Sequence, residues 1–222
     1  MTSLIIGSMI PDFEYFLRMK VKSIYSHTWS GLFWFDLPLS IIVLVIYQLL
    51  IKDGLIEHLP TSLFNRFVKF KGSERSFLSV GILIITIFSL LIGSLTHILW
   101  DGFTHPAGYF VLLIPNLSYN FNLGGHNIAA YKIVQHVSTV IGLGVILTTI
   151  FSLSVTKRKK NHSFRYYWLV IGFVICTTMV VRFATGLKLY QYGDIIVSAI
   201  AGAFLGLIFT SLLLQLKIRN SL

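Results

Sequence analysis

The chain has 222 residues, of which 55% are hydrophobic and only 12% are charged. Soluble domains carry about 25% charged residues, so this composition excludes an ordinary soluble fold; it excludes disorder more firmly, because low hydrophobicity is the signature of disorder. The formal net charge is +10, from 18 Lys and Arg against 8 Asp and Glu. Most of these cations stand between apolar runs, so they indicate orientation in a membrane and not a nucleic-acid partner. We predict an all-α, polytopic transmembrane helical bundle.

The chain opens with a short apolar stretch and then a first span. Leu4 to Ile10 is too short to cross a bilayer, so we expect a half-helix or an interfacial segment there. The next apolar run, Leu37 to Ile51, extends back through Leu32 to Phe35 but is interrupted by Asp36 and Pro38. The first span is therefore predicted to begin near Asp36, as a helix cap, and to end at Ile51. Pro38 fits this start, because proline is tolerated in the first turn of a helix.

Four later runs approach or exceed the roughly 17 to 25 residues that a spanning helix needs. They are Phe77 to Trp100, Ala129 to Val155, Tyr166 to Val181 with its flanks, and Ile195 to Leu216. Thr61 to Lys71 reads as a short amphipathic helix on the cytoplasmic surface or as a plain loop. The whole chain, 1–222, is expected to be one membrane domain, with a motif-bearing part (1–155) and a C-terminal two-helix hairpin (156–222).

The Lys and Arg between the spans predict the orientation. With five spans, the regions 52–76, 156–165 and the tail after Leu216 lie on one side, and they hold 12 of the 18 Lys and Arg. We therefore expect these regions to be cytoplasmic. The segments before Asp36, from 101 to 127 and around 186 to 193, then face outward, although Arg18, Lys20 and Lys22 oppose the rule.

The end of the second predicted span carries an unusual polar pair. His97 and Asp101 are four residues apart, so on a helix they share one face, and together they suit a metal ion. His105 precedes Pro106, which pushes its backbone out of the helical region and lets the chain turn it back over the helix end.

The orientation, assigned from Lys and Arg alone, brings the polar candidates to one face of the membrane. The residues placed at the outer face are Asp12, His27, His97, Asp101, His105 and His136. His58 and His162 fall in cytoplasmic loops and serve as controls, and His126 is left undecided. Polar groups at such positions are costly, so they indicate a metal site. Zinc is preferred because His outnumber carboxylates, with manganese or iron as alternatives.

Structural interpretations compete with the metal site at single positions. His136 by itself reads as a membrane histidine hydrogen-bonded to a neighbouring helix. Asp12 is interpreted either as a helix cap or as a ligand, and Asp36 as a cap and not as a ligand. Glu14 could act as a base or support the ligands, but its interpretation as a surface residue is favoured.

The last two spans carry packing features. Gly202 and Gly206 have the spacing of a close helix–helix contact. In the outer loop between these spans, Arg182, Lys188 and Asp194 are interpreted as a solvated rim or an ion pair, with anion binding as the alternative.

The motifs of the first 142 residues resemble an uncharacterised bacterial integral membrane protein family, catalogued only as domain of unknown function 4184. The motifs are Gly7 to Phe16, Ser26-His27-Thr28, Phe35 to Pro38, His97 to Pro106, and Tyr131-Lys132 with Gln135-His136. The last two spans match only in hydropathy. Family members begin with an extra segment carrying a His-Pro, so the resemblance implies a late start or a missing ligand in this chain.

More remotely, the order Asp, His, then His-x-x-x-Asp is similar to membrane-bound metal-dependent hydrolases and to the zinc-dependent phospholipase C and single-strand nuclease superfamily. The metal ligands that this similarity implies are Asp12, His27, His97 and Asp101. His105 and His136 would then serve a second metal or the substrate. The superfamily's second zinc ends on a Glu four residues after a His; here that position is Val140, which puts a second zinc in doubt.

Two functions are consistent with these residues. The first is a metal-dependent hydrolase at the outer membrane surface, acting on the phosphoester of a lipid headgroup or a lipid-linked phosphate. His105 or His136 would act as acid or base or bind the phosphate, and Lys132 would steady developing negative charge. The alternative is a non-enzymatic membrane protein that binds a metal for structure, sensing or transport. Against transport, no matching broken helices stand in two halves of the chain.

Overall fold

A computed structural model describes residues 1–72, 80–158 and 164–219. Five helical segments there are long and apolar enough to cross a membrane, which confirms the predicted bundle: Leu32–Glu57, Gly81–Leu113, Ala130–Ser152, Phe164–Ala184 and Tyr192–Leu216. The long helices are α5 (Val80–Thr104), α7 (Ala130–Ser152), α8 (Phe164–Ala184) and α9 (Tyr192–Arg219). Four residues predicted to lie in cytoplasmic loops fall outside the described residues: Arg75, Lys159, Lys160 and His162.

The chain begins with helix α1, Thr2–Arg18, which packs along α5. Its 17 residues make it about 25 Å long, longer than the predicted Leu4 to Ile10 segment. Ile6, Ile10 and Phe13 form its buried side, in a core cluster with the first span and α5. The apolar segment and the polar residues that follow it therefore belong to one helix, which continues through Pro11.

Small residues bring α1 and α5 into backbone contact. A Cβ atom on Gly7 would stand 2.3 Å from a backbone oxygen of α5, and one on Gly93 2.4 Å from a backbone oxygen of α1. Pro11 lies inside α1 and has no N–H, so the carbonyl of Gly7 loses its usual helical donor. The hydroxyl of Ser94 donates to that carbonyl at 3.0 Å. The crossing of α1 over α5 is therefore fixed by both close approach and hydrogen bonding.

The first span is one continuous helix with two π-helical turns. It comprises a π turn (Leu32–Asp36), α2 (Leu37–Ile46), a second π turn (Tyr47–Ile51) and α3 (Lys52–Glu57). The helix therefore begins four residues before the predicted start near Asp36, at Leu32, where the apolar extension of the run begins. Asp36 itself has helical dihedral angles (φ −67°, ψ −45°), and its side chain caps no helix, so the interpretation as a cap is also wrong.

A short helix follows at Thr61–Phe67 (α4) and continues as a 3-10 turn at Val68–Phe70, which confirms the predicted short helix. Its apolar side chains Phe64 and Val68 are buried against the end of the first span. Arg66 donates two hydrogen bonds to backbone carbonyls at the C-terminal end of α7. This segment therefore ties the ends of two spans together.

Helices α8 and α9 form a closely packed pair. Cβ atoms on Gly202 and Gly206 would each stand 3.1 Å from a backbone Cα atom of α8. The predicted close contact at these two glycines is confirmed, because any larger residue would have to separate the helices.

Between α5 and α7 the chain forms a small structure of short elements that sequence analysis did not predict. Helix α6 (Tyr109–Leu113) and a 3-10 turn (Pro115–Ser118) lead into an antiparallel hairpin of β1 (Asn120–Leu123) and β2 (His126–Ala129). Two glycines with positive φ form the hairpin turn. The hairpin connects directly to the first residue of α7.

Candidate metal centre

The predicted pair on α5 faces a common point. His97 and Asp101 lie one turn apart near the C-terminal end of α5, and Nε2 of His97 is 3.4 Å from Oδ2 of Asp101. Both side chains are partly buried. The same-face prediction from their spacing is confirmed.

Helix α1 adds a second carboxylate because of its crossing over α5. Asp12 Oδ1 lies 3.6 Å from His97 Nε2. The Nδ1 atom of His97 is 2.7 Å from the carbonyl oxygen of Ser8, and a carbonyl only accepts, so Nδ1 carries the hydrogen. The lone pair of a neutral His97 is therefore on Nε2, the atom that faces the carboxylates, as in histidines that bind metals.

The loop after α1 supplies the second imidazole. His27 Nε2 lies 3.2 Å from Asp101 Oδ2 and 3.9 Å from Asp12 Oδ1. Its ring stacks on Tyr15, with ring centroids 5.5 Å apart. Burial, and then the charge of Asp12, raises the pKa of Tyr15 to about 12, so this phenol stays neutral beside the ring.

The loop that carries His27 is organised by Glu14. The carboxylate accepts backbone hydrogen bonds from residues 24, 25 and 26 and a side-chain hydrogen bond from Arg18. The Glu14 residue is only 1% exposed, so its interpretation as a surface residue is wrong. Burial by itself would raise the pKa of Glu14, but the hydrogen bonds from the loop and from Arg18 outweigh it and lower the pKa to about 2.

Glu14 also contacts His27 indirectly, through a serine. The hydroxyl of Ser23 donates to Glu14 Oε2 at 3.2 Å and lies 3.0 Å from Nδ1 of His27. The hydroxyl of Ser26 lies at the same distance from this nitrogen, so two serines hold one edge of the imidazole. Nε2, on the opposite edge, faces the carboxylates.

Residues of the last two spans hold the start of the same loop. Arg182 donates to the carbonyl of Met19 at 2.9 Å, and Asp194 accepts from the backbone N–H of Val21 at 2.8 Å. The interpretation of Arg182 and Asp194 as a solvated rim is therefore wrong. Lys188 is exposed, as that interpretation requires. Contacts so distant in the sequence leave no local signal by which they could have been found.

The side chains converge on one small volume. One ligand atom each from Asp12, His27 and His97 lies within 4.8 Å of the others, so the three could hold a metal ion. Asp101 contacts both imidazoles. The Nε2 atoms of both histidines are buried and have no hydrogen-bond partner among the described residues. A divalent cation fits this arrangement, because it would bind the two nitrogen lone pairs and offset the carboxylate charge.

The other predicted site residues are placed differently. His105 Nδ1 lies 3.5 Å from Asp101 Oδ1, so the two oxygens of Asp101 face different imidazoles. His136 and Lys132 are exposed on α7, and no hydrogen bond or ion pair joins either to the cluster within the described ranges. His58 stacks on Tyr167, at the end of the bundle away from the cluster, as expected for a control.

Comparison with known proteins gives a family but no relative of known function. No curated protein and no solved structure matches the chain. One family model matches the chain, and the match includes the last two spans, for which only a resemblance in hydropathy was expected. A family model matches residues 1–212, and the chain therefore belongs to the family described as Domain of unknown function (DUF4184).

Proposed function

We propose that this protein is a membrane-embedded, metal-dependent hydrolase that acts on a phosphoester of a lipid or a lipid-linked substrate. The observation that carries the proposal is the convergence of two buried imidazole nitrogens, neither of which forms a hydrogen bond within the described residues, with two carboxylates. Purely structural histidines in a bundle hydrogen-bond to neighbouring helices through both nitrogens where they can. These two keep one nitrogen each directed at the carboxylates.

The residues proposed to hold the cation are Asp12, His27, His97 and Asp101. Zinc is preferred, and the equal number of nitrogen and oxygen ligands also suits manganese or iron. A divalent cation bound there supplies a water of lowered pKa and polarises a phosphoryl oxygen. The carbonyl of Ser8 accepts from Nδ1 of His97, and the hydroxyl of Ser23 lies 3.0 Å from Nδ1 of His27, so these contacts orient the two imidazoles.

His105 is the proposed acid or base. Its side chain is 46% exposed and meets Asp101 through Nδ1, so it can exchange a proton with a substrate while remaining beside the ligands. Lys132 and His136, exposed on α7, are proposed to contact the phosphate, Lys132 by offsetting negative charge. Both roles require that α7 moves towards the cluster when the substrate binds.

A lipid substrate is supported by the surface beside the site. Just beyond His105, the short helix α6 exposes Tyr109, Leu112 and Leu113. Exposed aromatic and aliphatic residues at the end of a transmembrane bundle are typical of the headgroup region. We place the site at the outer face of a cytoplasmic membrane, because Lys and Arg concentrate in the loops at the opposite end.

The proposal is tested with the purified protein in phospholipid vesicles. We expect wild-type protein to contain a transition metal by mass spectrometry and to release phosphorylated headgroups or cleave a chromogenic phosphodiester. His97→Ala should lose both the metal and at least about 10²-fold in activity. His58→Ala, which removes a buried histidine at the other end, should keep both. Unchanged activity in His97→Ala would overturn the assignment.

The alternative of non-enzymatic metal binding is separated in the same vesicles. Metal flux that responds to an ion gradient would support transport, and the hydrolase proposal predicts none. Metal retained without turnover of any phosphoester would leave a structural or sensing site.

A further inference from the structure

A third carboxylate lies inside the bundle close to the ligand cluster. Asp36 ends the π-helical turn Leu32–Asp36, and this turn packs against α1 and α5, the two helices that carry the cluster. Its carboxylate interacts electrostatically with the imidazoles of His27 and His97. π-Helical turns are rare and occur frequently at functional sites.

The environment of Asp36 is unusual for a structural aspartate. The residue is 0% exposed, and within the described ranges neither carboxylate oxygen accepts a hydrogen bond. It caps no helix. An isolated buried carboxylate is very costly, and natural proteins pair such a group, bind a cation with it or keep it protonated.

The charges around Asp36 favour a cation. Asp12 and Asp101 are carboxylates of the same region, and both contact the imidazoles of His27 and His97. Glu14 is already compensated by Arg18 and by backbone donors. Asp36 is therefore a third buried carboxylate beside a cluster that already holds two, and a divalent cation bound to the two imidazoles would offset the charge of all three.

We infer that Asp36 is a further carboxylate ligand of this metal centre, reaching the cation from the interior of the bundle. The inference rests on the proposed metal site and adds a ligand to it. Its negative charge raises the affinity of the centre for a divalent cation, and the bound cation in turn removes the cost of burying Asp36.

The test is Zn²⁺ binding by wild-type protein, Asp36→Asn and Asp36→Glu in detergent, by competition with a chromophoric chelator. We expect Asp36→Asn to bind Zn²⁺ at least about tenfold more weakly, and Asp36→Glu, which keeps the charge, to recover most of the affinity. Ser40→Ala is the matched control, because Ser40 is equally buried one turn along the same span and bonds only to a local carbonyl. It should bind Zn²⁺ as wild type does.

Thermal unfolding with and without Zn²⁺ gives a second readout. Zn²⁺ should raise the melting temperature of wild type more than that of Asp36→Asn, and the metal-free variant should be at least as stable as the metal-free wild type. Asp36→Ser removes the same charge with less volume and replaces Asp36→Asn if the amide does not fold. A Zn²⁺ affinity within twofold of wild type for both charge-removing variants would overturn the inference.

The two proposals fail in different ways. If wild type binds Zn²⁺ and His97→Ala loses it while Asp36→Asn does not, the metal site stands and the role of Asp36 is overturned. If Asp36→Asn weakens Zn²⁺ binding but no phosphoester is hydrolysed, Asp36 is a ligand and the hydrolase proposal falls. A wild-type protein that binds no Zn²⁺ overturns both.

Discussion

At the scale of single residues, Glu14 has a larger structural role than its place in the sequence suggests. Five donors converge on its carboxylate: the side chains of Arg18 and Ser23 and the backbone N–H groups of residues 24, 25 and 26. The same loop carries His27, so Glu14 positions a proposed ligand that it never touches. A charged acceptor of this kind forms stronger hydrogen bonds than a neutral one.

Glu14→Gln is expected to lower both stability and metal affinity. The amide loses the charge and presents N–H groups to donors, so the free energy of unfolding should fall by about 3 kcal/mol. Zn²⁺ affinity should fall about 10- to 100-fold, because the Ser23 contact no longer orients His27. Chemical denaturation in detergent and Zn²⁺ titration measure the two effects.

The control for Glu14→Gln is Glu57→Gln at the opposite end of the bundle. Glu57 is a buried carboxylate paired with Lys71, so its loss should also destabilise the protein but leave Zn²⁺ affinity unchanged. The pKa of Glu14, about 2, lies below its ordinary 4.5. Its contribution to stability is therefore complete above about pH 4.5 and is lost as the pH falls towards 2. Equal Zn²⁺ affinity in Glu14→Gln and wild type would contradict the role in positioning His27.

At the scale of elements, the crossing of α1 over α5 determines the distance between Asp12 and His97. Gly7 and Gly93 permit the backbones to meet, and Pro11 leaves a carbonyl for Ser94 to bind. The side chains of the site lie one or two turns further along both helices. A change in the crossing therefore moves one ligand relative to the other without altering either of them.

Gly93→Ala is expected to separate the two helices. The new Cβ would be 2.4 Å from a backbone oxygen and 2.6 Å from a backbone nitrogen of α1, neither of which can rotate away. Overpacking of this kind costs about 1–3 kcal/mol, and Zn²⁺ affinity should fall with it. Gly142→Ala on α7 is the matched control, since its Cβ would meet nothing within 4 Å. Similar melting temperatures and Zn²⁺ affinities in the two variants would refute the role of the crossing.

At the scale of the whole molecule, contacts at the two ends of the bundle agree with five alternating spans. At one end, Arg182 holds the loop before the first span. At the other, Trp168 at the start of α8 donates to the carbonyl of His58, and Arg66 binds the end of α7. The cluster lies at the first of these ends. The described parts of the basic loops lie at the second, so the positive-inside rule predicts that the cluster faces outward.

Cysteine labelling in intact cells tests this orientation. The chain has one cysteine, Cys176, so Cys176→Ser provides a background without thiols. We expect His126→Cys, in the exposed hairpin, to react with a membrane-impermeant maleimide from outside. Lys157→Cys, in the exposed segment after α7, should react only after permeabilisation. The reverse pattern would place the cluster in the cytoplasm.

The helical class and most of the span limits follow from the sequence, because they depend on local hydrophobicity and on backbone hydrogen bonds that must be satisfied in lipid. The pairing of His97 with Asp101 also follows, since helical periodicity alone places them together. The π-helical turns and the start of the first span do not follow, because apolar residues and a proline are compatible with several helix registers.

Tertiary structure decided which of these residues come together in the site. The sequence contains Asp12, His27 and His97, but only the close crossing of α1 and the loop held by Glu14 bring their ligand atoms within 4.8 Å. Asp36 is read as a cap from its neighbours in the sequence, whereas its burial without a hydrogen-bond partner in the described residues is set by packing against α1 and α5. Local patterns fix which residues are polar and which helix face they share. The distance between α1 and α5, and so the chemistry, depends on contacts between residues 87 and 89 positions apart in the sequence.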